Sequence, residues 1–95
     1  MAAYFVVDVT VEDPVTYEDY RKLVDPTLAL YGGKFLVRGG KTETIEGDWQ
    51  PRRFVILEFA DAEQFRRWYN SPEYEKAKQI RWKSSSARAV LAEGV

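Results

Sequence analysis

The stretch KFLVRGGKTETIEGDWQPRRFVILEFA, residues 34–60, decides how this chain folds. Its two ends, Lys34 to Gly40 and Arg52 to Ala60, are short apolar runs of strand length, and the second is most apolar at Phe54-Val55-Ile56-Leu57. Gly39-Gly40 reads as a bulge or bend that lets the first run continue through Lys41 to Ile45, and Glu46-Gly47-Asp48-Trp49-Gln50-Pro51 reads as the turn. Two such runs joined by a polar loop form an antiparallel hairpin, so the flanking segments must supply what covers it.

Upstream, Tyr4 to Val11 is rich in aromatic and β-branched residues and reads as a strand. Asp13 then offers an N-cap and Pro14 the first helical position. Tyr17, Tyr20, Val24, Leu28 and Tyr31 keep helical spacing, Pro26 is expected to kink or divide the helix, and Gly32-Gly33 stops it. Downstream, Asp61 three residues before Gln64 opens a second helix with Phe65, Trp68 and Tyr69. Ser71-Pro72 restarts it through Tyr74, Ala77 and Ile80 to about Lys83, and Ala87 to Glu93 reads as the last strand. Lys76, Lys78, Arg81 and Lys83 read as the solvated side of that helix. The order βαββαβ is that of a ferredoxin-like α+β sandwich, a four-stranded antiparallel sheet with its helices on one face, and residues 1–95 form one domain.

Side chains alternate across a strand, which sorts these runs into two faces. One is apolar: Val7, Val9 and Val11, then Phe35 and Val37, then Val55, Leu57 and Phe59. The other is mixed: Tyr4, Val6, Asp8 and Thr10, then Leu36 and Arg38, then Phe54, Ile56 and Glu58. A face turned to water would not need Tyr4, Val6, Leu36, Phe54 and Ile56, so a second copy of the chain is expected to cover it, closing a barrel of two sheets.

Composition narrows the chemistry. With 14 Lys+Arg against 15 Asp+Glu the net charge is -1, which supplies no global field for nucleic acid or an anionic membrane, and neither is expected as a partner. The chain has no cysteine and no histidine, so thiolate metal sites, cysteine nucleophiles and imidazole proton transfer are excluded, and no cofactor or metal is called for. The apolar start is interrupted at Asp8, too short for a spanning helix and without a basic start and cleavage site, so a cytoplasmic location is expected.

Asp8 and Glu58 are the candidate acid/base pair, with Arg38 as clamp for an anionic substrate, because two carboxylates and a guanidinium in an apolar enclosure could raise one carboxyl pKa. The alternative is that Arg38 merely neutralises Asp8 or Glu58. Glu46, Trp49 and Arg53 stand around the hairpin loop and are candidate substrate-binding residues, with packing against the partner subunit as the alternative for Trp49. The run Arg52 to Phe59 has a faint likeness to an RNA-recognition strand, but the glycine and alternating aromatics are missing and the face carries an acid.

The motifs Asp13-Pro14 with Tyr17 and Tyr20, Tyr31-Gly32-Gly33-Lys34-Phe35-Leu36-Val37-Arg38-Gly39-Gly40, Ile45-Glu46-Gly47-Asp48-Trp49 and Ser71-Pro72-Glu73-Tyr74 resemble the family called domain of unknown function 1330. The resemblance runs over nearly the whole chain. It implies the dimeric α+β barrel architecture, shared with small monooxygenases, lactone isomerases and haem-dependent chlorite-degrading enzymes, and it implies no activity. The function expected from these readings is a small-molecule site between the dimer sheets, serving a cofactor-independent isomerase- or monooxygenase-like reaction on a small organic acid, lactone or phenolic compound. The alternative is a non-catalytic dimeric module without a pocket.

Overall fold

The computed structural model describes residues 1–95. Its elements are β1 (Ala3–Val11), α1 (Pro14–Tyr31), β2 (Lys34–Arg38), β3 (Arg53–Phe59), α2 (Ala62–Tyr69), α3 (Pro72–Ser84) and β4 (Ser85–Glu93). The sheet order is β2-β3-β1-β4 with every neighbour antiparallel, the ferredoxin-like arrangement expected of βαββαβ.

Each helix begins where a short polar side chain replaces a missing intrahelical partner. Asp13 accepts from the Thr16 backbone N–H at 3.1 Å, Asp61 from that of Gln64 at 2.8 Å and Ser71 from that of Tyr74 at 3.1 Å. Of the two outcomes expected of Pro26, division does not occur: α1 runs unbroken through it despite the missing N–H. Lys22 and Pro26 lie on the exposed side, where water can satisfy the freed carbonyl. Thr27 and Leu28, one turn on, are held in the core, and Gly32 at φ 71° closes the helix in the left-handed form.

The helix-covered face of the sheet carries Phe5, Val7, Val9, Val55, Leu57 and Phe59, all buried. Above them an aromatic cluster fills the space under α2 and α3. Trp68 is fully buried, its ring 4.0 Å from that of Tyr74 and 5.3 Å from that of Phe59 by centroid. Its indole N–H donates to Thr27 Oγ1 at 3.0 Å, and that hydroxyl donates to the Val24 carbonyl at 2.7 Å, so the one polar atom of the ring is satisfied.

Two parts of the hairpin depart from the sequence reading. The first strand stops at Arg38 rather than continuing to Ile45, because Gly39 turns at φ 70° and its N–H makes the last bond to the Phe54 carbonyl, 2.8 Å. The bulge lies earlier, between Phe35 and Val37: Phe35 pairs with Leu57, but Val37 pairs with Ile56 and Arg38 with Val55. One extra residue therefore moves Val37 to the open face and Arg38 to the helix side, the reverse of simple alternation. On α3, Lys78 and Arg81 are only 6% exposed each, so half of the predicted solvated stripe is interior. Lys78 is accommodated by its ammonium donating to the Tyr69 carbonyl at 3.0 Å.

Because Trp68 has no exposed surface, Trp68→Ala is expected to lower unfolding stability by about 3–5 kcal/mol in urea denaturation. Val15→Ala, at a position 81% exposed, is expected to stay within about 0.5 kcal/mol of the parent.

Candidate functional site

The face of the sheet opposite the helices is partly apolar and uncovered within the chain. Tyr4, Val6, Phe54 and Ile56 are half-buried, while Leu36 is 49% and Val90 62% exposed. Across one end of this face folds residues 40–52, a strap with no helix or strand of its own. Asp8, in the middle of the sheet, holds it: its carboxylate accepts from the Trp49 indole N–H at 2.9 Å and from the Arg52 backbone N–H at 2.9 Å. Thr44 Oγ1 donates to the Trp49 carbonyl at 2.7 Å, and the Trp49 ring stands edge-on to Phe54 with centroids 5.8 Å apart. The result is a basin of about 730 Å³ lined by Val6, Thr10, Trp49, Phe54, Arg88 and Val90 among others.

The electrostatics of the basin are those of a fixed anion ringed by cations. The Trp49 N–H chiefly, then the Arg52 N–H and the charges of Arg88 and Arg52, hold the Asp8 carboxyl below its ordinary range despite some desolvation. Arg88 reaches this place because β4 pairs it directly with Asp8. Neither Arg88 nor Arg52 forms a side-chain ion pair, so both guanidinium groups are available to an anionic ligand.

The candidate trio of the sequence does not assemble. Tyr4 is the residue opposite Glu58, four positions before Asp8 on β1, which puts the two carboxylates about 13 Å apart along the strand. Glu58 bonds the Lys34 ammonium at 3.1 Å, which is the main reason its carboxyl is also held low, and the neighbouring Tyr4 phenol is raised in turn. Both carboxyls are thus lowered rather than raised, the opposite of what a neutral proton donor needs. Arg38 stands on the helix side, paired with Asp25 through bonds of 2.8 and 3.2 Å. Arg53, opposite Val9, also faces the helices. Glu46 lies exposed in the strap outside the basin, while Trp49 lines it. Arg88 and the Arg52 N–H are the members that the sequence reading missed; β4 alternation would have put Arg88 on the mixed face with Asp8, whereas the fold of the strap has no local signature.

The chain has no histidine or cysteine, and no three acidic side chains are grouped to hold a metal ion. No helix is long and apolar enough to cross a membrane.

A family model described as Domain of unknown function (DUF1330) matches residues 2–95. Comparison with curated proteins gives no match. Among solved structures the chain is similar to RPA0582, a protein of unknown function from Rhodopseudomonas palustris, at 17% identity and a TM-score of 0.80 over 99% of this chain and 82% of that one. A dimeric ferredoxin-like protein of unknown function from Jannaschia sp. CCS1 superposes at 13% identity and a TM-score of 0.75, over 99% of this chain and 100% of that one. SnoaB, a cofactor-independent oxygenase from Streptomyces nogalater, superposes at 18% identity and a TM-score of 0.59, over 99% and 93%.

Since the folded pKa of Asp8 lies below its unfolded value, the tether is fully present above about pH 4 and is lost as pH falls through the lower folded value. The Trp49 indole N–H resonance is therefore expected to hold its position down to about pH 4 and then move to that of a mobile indole, while that of buried Trp68 stays. Asp8→Ala is expected to give the mobile Trp49 signal at neutral pH.

Proposed function

Because the chain belongs to the domain of unknown function 1330 family, whose description states no activity, we propose its function from the open face: a homodimer that binds a small, largely apolar organic acid or phenolic compound between two facing sheets. The observation that carries this reading is the strap, which Asp8 folds back so that Trp49 and two unpaired arginines frame an apolar floor. That combination, an aromatic wall, an aliphatic floor and cations at one end, suits a planar molecule bearing one acidic group. The exposed apolar side chains Leu36 and Val90 continue the floor beyond the basin, and a second copy would remove them from water. That the similar Jannaschia protein is dimeric supports the pairing.

Within the basin Arg88 and Arg52 hold the acidic group and Trp49 packs on the ligand body. Asp8 has a structural task, since both of its oxygens already accept hydrogen bonds and its lowered pKa makes it a weak base. The arrangement therefore favours binding and charge stabilisation over proton abstraction by Asp8 or Glu58. The name of SnoaB as a cofactor-independent oxygenase supports looking for oxygen-dependent turnover of a bound phenolic.

Sedimentation is expected to show a dimer that Ile56→Asp converts to monomer. In thermal shift against aromatic acids and phenols, a ligand at about 100 times its dissociation constant is expected to add about 2.7 kcal/mol of stability. Trp49→Ala and Arg88→Ala are expected to remove that shift. A monomeric parent protein, or ligand shifts indifferent to both substitutions, would contradict the proposal, and a dimer that no ligand stabilises favours a module whose open face is filled by its partner.

A further inference from the structure

On the other side of the sheet, between α1, α3 and the β2–β3 edge, lies a second and much smaller cavity of about 30 Å³. Four arginines line it: Arg21, Arg38, Arg53 and Arg81. Two are committed, Arg21 to Glu18 at 3.3 Å and Arg38 to Asp25 at 2.8 Å, both partners on the outer surface of α1. Arg53 and Arg81 have no carboxylate partner at all.

Arg81 is 6% exposed. Its polar surroundings are the phenols of Tyr20 and Tyr74, whose oxygens bond each other at 3.0 Å and whose burial pushes both above their ordinary range, so they remain neutral and cannot balance its charge. Arginine does not release its proton, so the charge stays. Arg53 holds its guanidinium 5.7 Å from the Tyr17 ring, and its Nε–H is buried without any acceptor. Gly39 leaves the room for this side chain, because a Cβ there would collide with the guanidinium. A fold does not ordinarily leave a buried guanidinium N–H without an acceptor and a buried guanidinium without a counter-charge around a single void, since each costs stability until an anion enters.

We propose that this cavity is a site for the carboxylate group of a small organic acid, bound between Arg53 and Arg81. An enclosed water needs about 10–15 Å³ of such space, so the cavity has room for about two water-sized atoms, the two oxygens of a carboxylate whose carbon and remaining body extend past the rim. The planar donor fork of arginine matches a carboxylate, and Tyr17 and Phe35 line the cavity beside it. The Asp25–Arg38 pair, with the Asp25 side chain 55% exposed, stands at the rim and keeps the third arginine occupied until a larger ligand displaces the aspartate. This site is separate from the basin on the open face, so its test stands whether or not the basin binds a ligand.

The test is a titration of protein carrying 15N-arginine with sodium acetate, at ionic strength held constant by exchange against sodium chloride, reading the Arg53 Nε–H resonance. The expected result is a saturable downfield movement with acetate and at least a tenfold loss of acetate affinity in Arg81→Met. An Arg53 Nε–H that acetate does not move overturns the proposal, as does one that moves without saturating. If Arg81→Met does not fold, the parent titration decides by the same two criteria.

Discussion

One extra residue in β2 sets the placement of charge in this molecule. The bulge between Phe35 and Val37 advances the strand by a position against β3, so Leu36 and Val37 both serve the open face and Arg38 swings under the helices. There its guanidinium lies 4.0 Å over the Phe35 ring and reaches Asp25 on α1. Without the bulge Arg38 would fall opposite Phe54 on the open face, at the Asp8 end of the sheet. With it, the open face is left to Asp8 and its strap, and the helix side collects arginines.

The two sides of the sheet consequently differ in how charge is satisfied. On the open face each carboxylate has its own partners, Asp8 the Trp49 and Arg52 N–H groups and Glu58 the Lys34 ammonium, so the anions are structural and the surplus cations, Arg52 and Arg88, face the basin. On the helix side the surplus is again cationic, but it stands among aromatic rings, where a buried guanidinium N–H without an acceptor is costly. Both sides point to anionic ligands, the open one large enough for a whole small molecule and the enclosed one for a single functional group.

Much of this is legible in the amino-acid sequence. The caps Asp13, Asp61 and Ser71 and the alternation of β1 and β3 identify the elements and their buried faces, because capping and pleating depend only on near neighbours in sequence. The bulge is not, since Gly39-Gly40 offers a stronger local signal for irregularity than Leu36, and pairing with β3 decides between them. Nor is the interior position of Arg81, although it falls seven residues after Tyr74 and four after Ala77 on the buried stripe. A charged residue on such a stripe reads as solvated unless its surroundings are known, and those surroundings come from β3 and α1.

The most direct test of the account is the set of nuclear Overhauser contacts made by the Arg38 side chain in arginine-labelled protein. The bulged register predicts contacts from its methylene protons to the Phe35 ring and to α1 around Asp25. Contacts to Ile56 and the other open-face side chains instead would restore simple alternation, put Arg38 back on the mixed face and contradict the division of charge between the two faces.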